Sequence, residues 1–153
     1  MDDRRTGTAD RRQAWRGGRR GGDGRDRPIA LVVDDHADSR ELIAAVLSAA
    51  GVATAEASTC RAALDRLGAL PAPRVVILDL NLPDCHGTAL IRTIRSTPAI
   101  SAIPVIVLSA AVMSSDKLGA DQAGASLFLS KPVLPDALVA AVLRLLDEAA
   151  AAR

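Results

Sequence analysis

The stretch Ile29-Ala-Leu-Val-Val-Asp-Asp35 is an unbroken apolar run, rich in β-branched residues, that ends in two carboxylates. Apolar runs without polar alternation are typical of strands covered on both faces, as in a parallel sheet between two layers of helices. Four further runs share this character, the last two more weakly: Val75–Leu78, Ile103–Leu108, Leu127–Leu129 and Val52–Glu56. Together these runs predict five buried strands.

Stretches with the apolar spacing of helices lie between and after the predicted strands. The first helix is expected behind Asp38 or Ser39 as N-cap, with an apolar face formed by Leu42, Ile43, Val46 and Leu47. The other four are expected at Leu64–Leu67 (ended by Gly68), Leu90–Ile94, Ser114–Ala123 and Asp136–Ala150. Strand and helix alternate five times, which predicts an α/β fold with a doubly wound, five-stranded parallel sheet, (β-α)5.

The net charge of +1 combines two unlike regions. Residues 1–27 hold nine arginines and five aspartates, a charge of +4, whereas residues 28–153 hold ten basic and thirteen acidic residues, a charge of −3. Because 1–27 is rich in arginine and glycine and has almost no aliphatic side chains, we expect a disordered tail there and a folded domain over 28–150. We interpret the tail as a solvated extension; the alternative is that it contacts nucleic-acid phosphates or an acidic partner.

Composition excludes several classes of protein. The aromatic residues are Trp15 and Phe128, too few for nucleic-acid recognition by base stacking. The apolar runs are far shorter than the roughly 20 residues of a membrane-spanning helix, and no apolar segment follows the basic start as a secretory signal requires. Two cysteines and two histidines suit neither a disulfide framework nor a zinc site, so we expect Cys60 and Cys85 to be ordinary residues without a partner.

Polar or charged side chains follow four of the five predicted strands. Asp34 and Asp35 end the first strand, Asp79 the third and Ser109 the fourth, and Lys131 follows the fifth. Ligands bind beyond the carboxyl ends of parallel strands where the strand order reverses, so in the order 2-1-3-4-5 the three carboxylates would share one pocket. Such carboxylates suit Mg²⁺, and the hydroxyl and the ammonium suit a phosphoryl group. The pattern therefore predicts phosphoryl transfer, with a carboxylate able to act as the nucleophile.

Other polar residues near these strand ends have ordinary structural explanations. Asp38 and Asp84 suit turns or helix caps, a role that Asp34 could also have. His36 and His86 fall near the rim of the predicted pocket, where a general-base role stays open, although a loop histidine without a paired carboxylate usually has none.

Four motifs, in order and correctly spaced, make residues 28–150 resemble the receiver domain of two-component response regulators (CheY-like). They are Val32-Val-Asp-Asp35, Val76-Ile-Leu-Asp-Leu-Asn-Leu-Pro-Asp84 with Gly87, Val107-Leu-Ser-Ala110, and Ala123-Gly-Ala with Phe128-Leu-Ser-Lys-Pro132. The resemblance implies the flavodoxin-like strand order 2-1-3-4-5, for which a chemotaxis receiver is a standard example. It also implies that Asp79 accepts a phosphoryl group from a sensor histidine kinase or a histidine phosphotransfer protein.

The same resemblance implies a ligand set for Mg²⁺. The side chains of Asp35 and Asp79 and the backbone carbonyl of Asn81 would hold the ion, with Asp34 acting mostly through water. Asn81, together with Ala111, would flank the path of hydrolytic water, so we expect both to influence the lifetime of the aspartyl phosphate.

A conformational switch is implied as well. Ser109 would bond a phosphoryl oxygen and draw its loop inward, Lys131 would pair with the phosphate, and Phe128 would be the rotating aromatic residue. The face formed by the fourth helix, fifth strand and fifth helix would change in response. A homodimer formed through the fourth and fifth helices of this face is also possible. The Lys131–Pro132 bond would be cis. A departure from the family pattern is His86, which stands where an acidic residue is commoner.

The expected function is that of a stand-alone cytoplasmic receiver, without an attached DNA-binding domain or membrane span, that signals by docking onto an output protein. It would not be an enzyme beyond assisting its own phosphorylation and dephosphorylation. One alternative is a Mg²⁺-dependent phosphatase of the haloacid-dehalogenase type, disfavoured because Asp34 and Asp35 are adjacent rather than in an Asp-x-Asp motif. The other is a receiver-like interaction module that takes no phosphate, against which the intact Asp79 and Lys131 argue.

Overall fold

The protein alternates strand and helix five times within the part that its computed structural model describes, residues 27–110 and 114–151. The elements are β1 (Ile29–Val33), α1 (Ala37–Ala49), β2 (Ala53–Ala57), α2 (Cys60–Leu67), β3 (Val75–Asp79), α3 (Gly87–Ser96), β4 (Val105–Ser109), α4 (Ser114–Ala123), β5 (Leu127–Ser130) and α5 (Pro135–Ala151). The predicted strands and helices are confirmed, with bounds that differ by a few residues. The predicted tail, apart from Arg27, lies outside the described residues.

The five strands form one parallel sheet in the order β2-β1-β3-β4-β5. α1 and α5 pack on one face, and α2, α3 and α4 on the other. Right-handed crossovers cause this division, because the connection from β1 to β2 runs across the sheet in the opposite direction from the later ones. The order reverses between β1 and β3, so their carboxyl ends lie side by side, with Val33 paired to Leu78. The predicted doubly wound fold is confirmed.

The centre of the sheet is apolar on both faces. Every residue of β3 is buried; Val75 and Ile77 pack towards α1 and α5, and Val76 and Leu78 towards α2, α3 and α4. The apolar stripe of α5 is buried as predicted: Leu138, Val139, Val142, Leu145 and Leu146. Polar groups at the strand ends are therefore held by a rigid sheet. Within the described residues, no helix is long and apolar enough to span a bilayer.

Two predictions for α1 are wrong. The helix begins at Ala37 with His36 as N-cap, not behind Asp38 or Ser39, because the Asp34 carboxylate accepts a hydrogen bond from the His36 N–H at 2.9 Å and turns the chain earlier. Leu42, which we expected on the inward face, is 65% exposed. The buried stripe of α1 consists of Ile43 and Leu47, which are four residues apart and therefore lie on the same side of the helix.

Candidate functional site

Three carboxylates meet at the carboxyl ends of β1 and β3. Asp34 and Asp79 are buried, 2% and 7% exposed, whereas the Asp35 side chain is 36% exposed. One side-chain ligand atom from each of Asp34, Asp35, His36 and Asp79 lies within 4.8 Å of the others. The structure therefore brings together the acidic residues that the sequence placed at neighbouring strand ends.

Lys131 reaches this acidic pocket from the loop after β5. Its Nζ lies 3.3 Å from Asp34 Oδ2 and 3.3 Å from Asp79 Oδ2. Its backbone N–H donates to the Ser109 carbonyl at 2.9 Å, which holds the loop against the end of β4. Partial burial lowers the pKa of Lys131, but the Asp79 and Asp34 carboxylates more than offset this and raise it above its ordinary value of 10.5. The Lys131–Pro132 bond is cis, as the resemblance implied.

Ser109 and Phe128 lie on the neighbouring strands β4 and β5. Ser109, which ends β4, is fully buried and directly follows Leu108, the residue paired with Asp79. Phe128 is paired with Val107 and packs, partly buried, against the cluster of α2, α3 and α4. Ala111 lies outside the described residues.

The loop between β3 and α3 is closed by short backbone contacts. The N–H of Asn81 donates to Asp79 Oδ1 at 3.1 Å, and the N–H of Gly87 donates to the Leu80 carbonyl at 2.7 Å. An antiparallel bridge joins Asn81 to His86. A Cβ on Gly87 would lie 2.9 Å from Leu80 Cα, so glycine permits this close approach. The result is a compact loop that holds Asn81 beside Asp79.

The two histidines have different surroundings. His36 Nδ1 lies 3.2 Å from Asp34 Oδ1 and 3.1 Å from Asp35 Oδ1, at the rim of the acidic pocket. His86 is instead the N-cap of α3, where its ring nitrogen accepts from the Thr88 N–H at 3.3 Å. His86 therefore has a structural role, whereas His36 belongs to the pocket.

Arg40 supports the turn after β1, a contact that sequence analysis missed. Its Nη1 donates to the Asp34 carbonyl at 2.8 Å, and its Nε donates to Glu56 Oε1 at 3.0 Å. The arginine thereby ties α1 to the ends of β1 and β2. The only feature of the sequence that could have predicted these contacts is the spacing of Arg40 after the Asp34-Asp35 pair. That spacing indicates no contact unless the order of the strands is known.

The prediction that Cys60 and Cys85 have no partner is wrong. They form a disulfide, with their Cα atoms 6.2 Å apart. The cause is topological: because α2 and α3 lie on the same face, the start of α2 and the loop after β3 meet above the end of β1. Asp84 accepts from the N–H groups of Cys60 at 2.8 Å and Arg61 at 3.0 Å, so it caps α2 from a different loop. These hydrogen bonds, from Cys60 and then Arg61, lower the pKa of Asp84.

The fold and the site define an open, parallel α/β domain with an acidic pocket at its switch point, which a lysine reaches from the loop after β5. Residues 30–143 match the model of the response regulator receiver domain family. The chain belongs to that family, whose members are signalling switches rather than classical enzymes.

Individual relatives agree with this assignment. The chain is 42% identical over 102 residues to the KDP operon transcriptional regulatory protein KdpE of Escherichia coli, covering 67% of this chain and 44% of that protein. It is 32% identical over 112 residues to the phosphate regulon transcriptional regulatory protein PhoB of Klebsiella pneumoniae, covering 73% and 48%. The chain thus matches about half the length of these curated relatives.

Solved structures show the same fold. A putative response regulator from Chloroflexus aurantiacus superposes with a TM-score of 0.75 at 30% identity, covering 79% of this chain and 98% of the other. A chemotaxis response regulator of Vibrio cholerae superposes with a TM-score of 0.72 at 25% identity, covering 78% and 98%. The family match favours the receiver over the phosphatase and the phosphate-independent module.

Proposed function

We propose that Asp79 is the phosphoacceptor of this receiver, and that phosphorylation changes the surface that it presents to a partner protein. The observation that carries the proposal is the position of Asp79. It is a buried carboxylate at the end of the central strand β3, with one oxygen 3.3 Å from the Lys131 ammonium. Relatives over this length are response regulators, which supports a histidine kinase or a histidine phosphotransfer protein as the phosphoryl donor.

The transfer needs a nucleophile and charge stabilisation, and the pocket has residues for both. An Asp79 oxygen attacks phosphorus, a P–O bond forms, and the bond from phosphorus to the donor's nitrogen or oxygen breaks, leaving its electron pair with the donor. Lys131 neutralises charge on the phosphoryl oxygens, and the Ser109 hydroxyl donates a hydrogen bond to one of them. In this role the domain assists its own phosphorylation and dephosphorylation.

The residues of the pocket fit Mg²⁺. The carboxylates of Asp34, Asp35 and Asp79 lie together, with His36 at their rim. Carboxylate and carbonyl oxygens are hard donors, the class that this ion prefers. Asp34 and Asp79 are buried beside a third carboxylate, and the single charge of Lys131 does not balance the three. Asp35, Asp79 and the Asn81 carbonyl would hold the ion, with Asp34 acting through water. Bound there, Mg²⁺ supplies further neutralisation of phosphoryl charge.

The proposed output is a change on the face formed by α4, β5 and α5. Ser109 moves towards the phosphoryl group, and Phe128 rotates into the space vacated on the α4 side. That face then docks onto an output protein or a second copy of the chain. A cytoplasmic location accords with this class of partner. Residues 28–150 are the receiver in this account, and the arginine-rich segment 1–27 is a tail outside it.

The test is phosphorylation by a small donor. The full chain is incubated with Mg²⁺ and acetyl phosphate, and its intact mass is compared with that of Asp79→Asn. We expect one phosphoryl group on the unsubstituted chain and none on the variant. Asp65→Asn, the same change on the exposed side of α2, is the matched control and keeps the adduct. No adduct on the unsubstituted chain would favour a phosphate-independent module.

A further inference from the structure

A second reactive group lies outside the phosphoryl pocket. Cys60, the buried first residue of α2, is bonded to Cys85, a partly exposed residue in the loop between β3 and α3. The two cysteines are 25 residues apart in sequence. The disulfide therefore joins two elements that the backbone connects only through the whole of α2 and β3.

The same loop carries the residues of the proposed phosphoryl site. It begins directly after Asp79, contains Asn81, and is closed where the Gly87 N–H meets the Leu80 carbonyl. Cys85 directly precedes His86, the residue to which Asn81 is bridged. A bond at Cys85 thus restrains the far side of a loop whose near side holds Asn81 beside Asp79.

Apart from the disulfide, the described contacts between this loop and the start of α2 include the two hydrogen bonds that Asp84 accepts from Cys60 and Arg61. Asp84 is exposed, so water competes for these bonds when the loop moves. Leu82 and Cys85 also pack against the apolar cluster that contains Cys60. The disulfide is the covalent restraint between the loop and α2, and its loss leaves only these non-covalent contacts, which would permit local opening.

We propose that Cys60 and Cys85 are a thiol–disulfide exchange site through which a dithiol reductant controls the freedom of the loop Leu80–Gly87. The consequence for signalling rests on the proposed function, because that loop carries Asn81. Disulfides of cytosolic proteins are usually transient or redox-sensing, which fits a regulatory role in the location proposed above.

The exchange proceeds in two balanced steps. A thiolate of the dithiol attacks Sγ of Cys85, the more accessible sulfur; the protein S–S bond breaks, and Cys60 leaves with the electron pair and takes up a proton. The second thiolate of the dithiol then attacks the mixed disulfide and releases Cys85, which is protonated in turn. The protein gains two electrons and two protons, and the dithiol becomes a disulfide.

The test uses the full chain purified without reductant, before and after treatment with dithiothreitol. Alkylation by iodoacetamide in denaturant, counted by mass, is expected to label no cysteine before reduction and both afterwards. Hydrogen exchange of the Asn81 and Gly87 amides, which are hydrogen-bonded in this loop, should become severalfold faster on reduction, while that of β3 stays unchanged. Calorimetric titration should show Mg²⁺ binding weakened about tenfold, the lower end of the loss in metal affinity that follows when the support of a metal ligand is removed.

The Cys60→Ser/Cys85→Ser double variant is the control for direct effects of the reductant. It should match the reduced chain and not respond to dithiothreitol. The proposal is overturned if both cysteines are alkylated in air-exposed chain, or if loop exchange and Mg²⁺ affinity are the same in both redox states. Failure of the oxidised chain to take phosphate from acetyl phosphate would contradict the proposed function instead, since thiol counts and exchange rates do not depend on phosphorylation.

Discussion

The Lys131 ammonium lies 3.3 Å from Asp79 Oδ2, although the two residues are 52 positions apart in the chain. The contact joins the loop after edge strand β5 to the end of central strand β3, across the end of β4. It is held from the backbone side by the hydrogen bond between the Lys131 N–H and the Ser109 carbonyl. Lys131 is thus already placed beside the proposed phosphoacceptor, and it competes there with any other cation.

Removal of the Lys131 charge should strengthen Mg²⁺ binding. The ammonium repels a second cation in a pocket where water screens charge poorly. We expect Lys131→Ala to bind Mg²⁺ severalfold more tightly than the unsubstituted chain by isothermal titration calorimetry. Lys117→Ala, the same change at an exposed position on α4, serves as control and should leave the affinity unaltered. Equal or weaker binding in Lys131→Ala would contradict the competition.

Gly87 should not tolerate a side chain. An alanine Cβ there would lie 2.9 Å from Leu80 Cα and 3.2 Å from the Asp79 carbonyl oxygen, so backbone atoms would have to move. We expect Gly87→Ala to lower the free energy of unfolding by about 1–3 kcal/mol, as measured by urea denaturation. Gly68→Ala is the matched control, because its Cβ would have ordinary contacts of 3.7 and 3.8 Å. Equal stability of the two variants would show that the loop adapts freely.

Arg95 should contribute strongly to the stability of the α4–β5 side of the domain. Its guanidinium donates to the carbonyl groups of Gly124 at 2.9 Å, Ser101 at 2.9 Å and Ile103 at 2.6 Å, and burial lowers its pKa. Arg95→Met leaves these carbonyls without a charged donor, and we expect a loss of about 3 kcal/mol in urea denaturation. Arg92→Met, on the exposed side of the same helix, should change stability little; a similar loss in both variants would refute this role.

The cap that Asp84 places on α2 should make stability depend on acid pH. The Cys60 and Arg61 N–H groups hold the pKa of Asp84 below its ordinary value of 3.8 in the folded chain. A lowered pKa stabilises the fold fully above the unfolded value, and this contribution is lost as the pH falls through the folded value. The difference in urea midpoint between the unsubstituted chain and Asp84→Asn should therefore be constant above about pH 5 and shrink below pH 4.

Asp65→Asn provides the comparison for that titration, since it removes an exposed carboxylate from the same helix. Its difference from the unsubstituted chain should be small across the same range. A difference for Asp84→Asn that stays constant down to pH 2 would show that the cap does not depend on the charge of Asp84.

The sequence predicts most of the fold because its strongest patterns are local. The apolar run of β3 and the apolar stripe of α5 each predict a buried element from neighbouring residues alone. The structure confirms that both are buried. The start of α1 differs from the prediction because the hydrogen bond from the His36 N–H to the Asp34 carboxylate, and not the best capping residue, determines where the helix begins. Leu42 was misplaced because apolar identity alone does not give the width of a buried stripe.

Only the part of the candidate site that lies at the ends of strands could be predicted from the sequence. The meeting of Asp34, Asp35 and Asp79 follows from the sheet order, given the residues that end β1 and β3. The sequence indicates a turn or cap role for Asp84, but not that it caps α2 from another loop, and it does not indicate the Cys60–Cys85 bond, because both contacts depend on how α2 and α3 pack. Contacts between loops have no periodic signature in sequence.

Phosphorylation of Asp79 is measured by the intact mass of the chain after incubation with acetyl phosphate and Mg²⁺. We expect a single added phosphoryl group that is absent without Mg²⁺, absent in Asp79→Asn and retained in Asp65→Asn. An adduct that persists in Asp79→Asn, or no adduct on a folded, Mg²⁺-loaded chain, would contradict phosphorylation of Asp79.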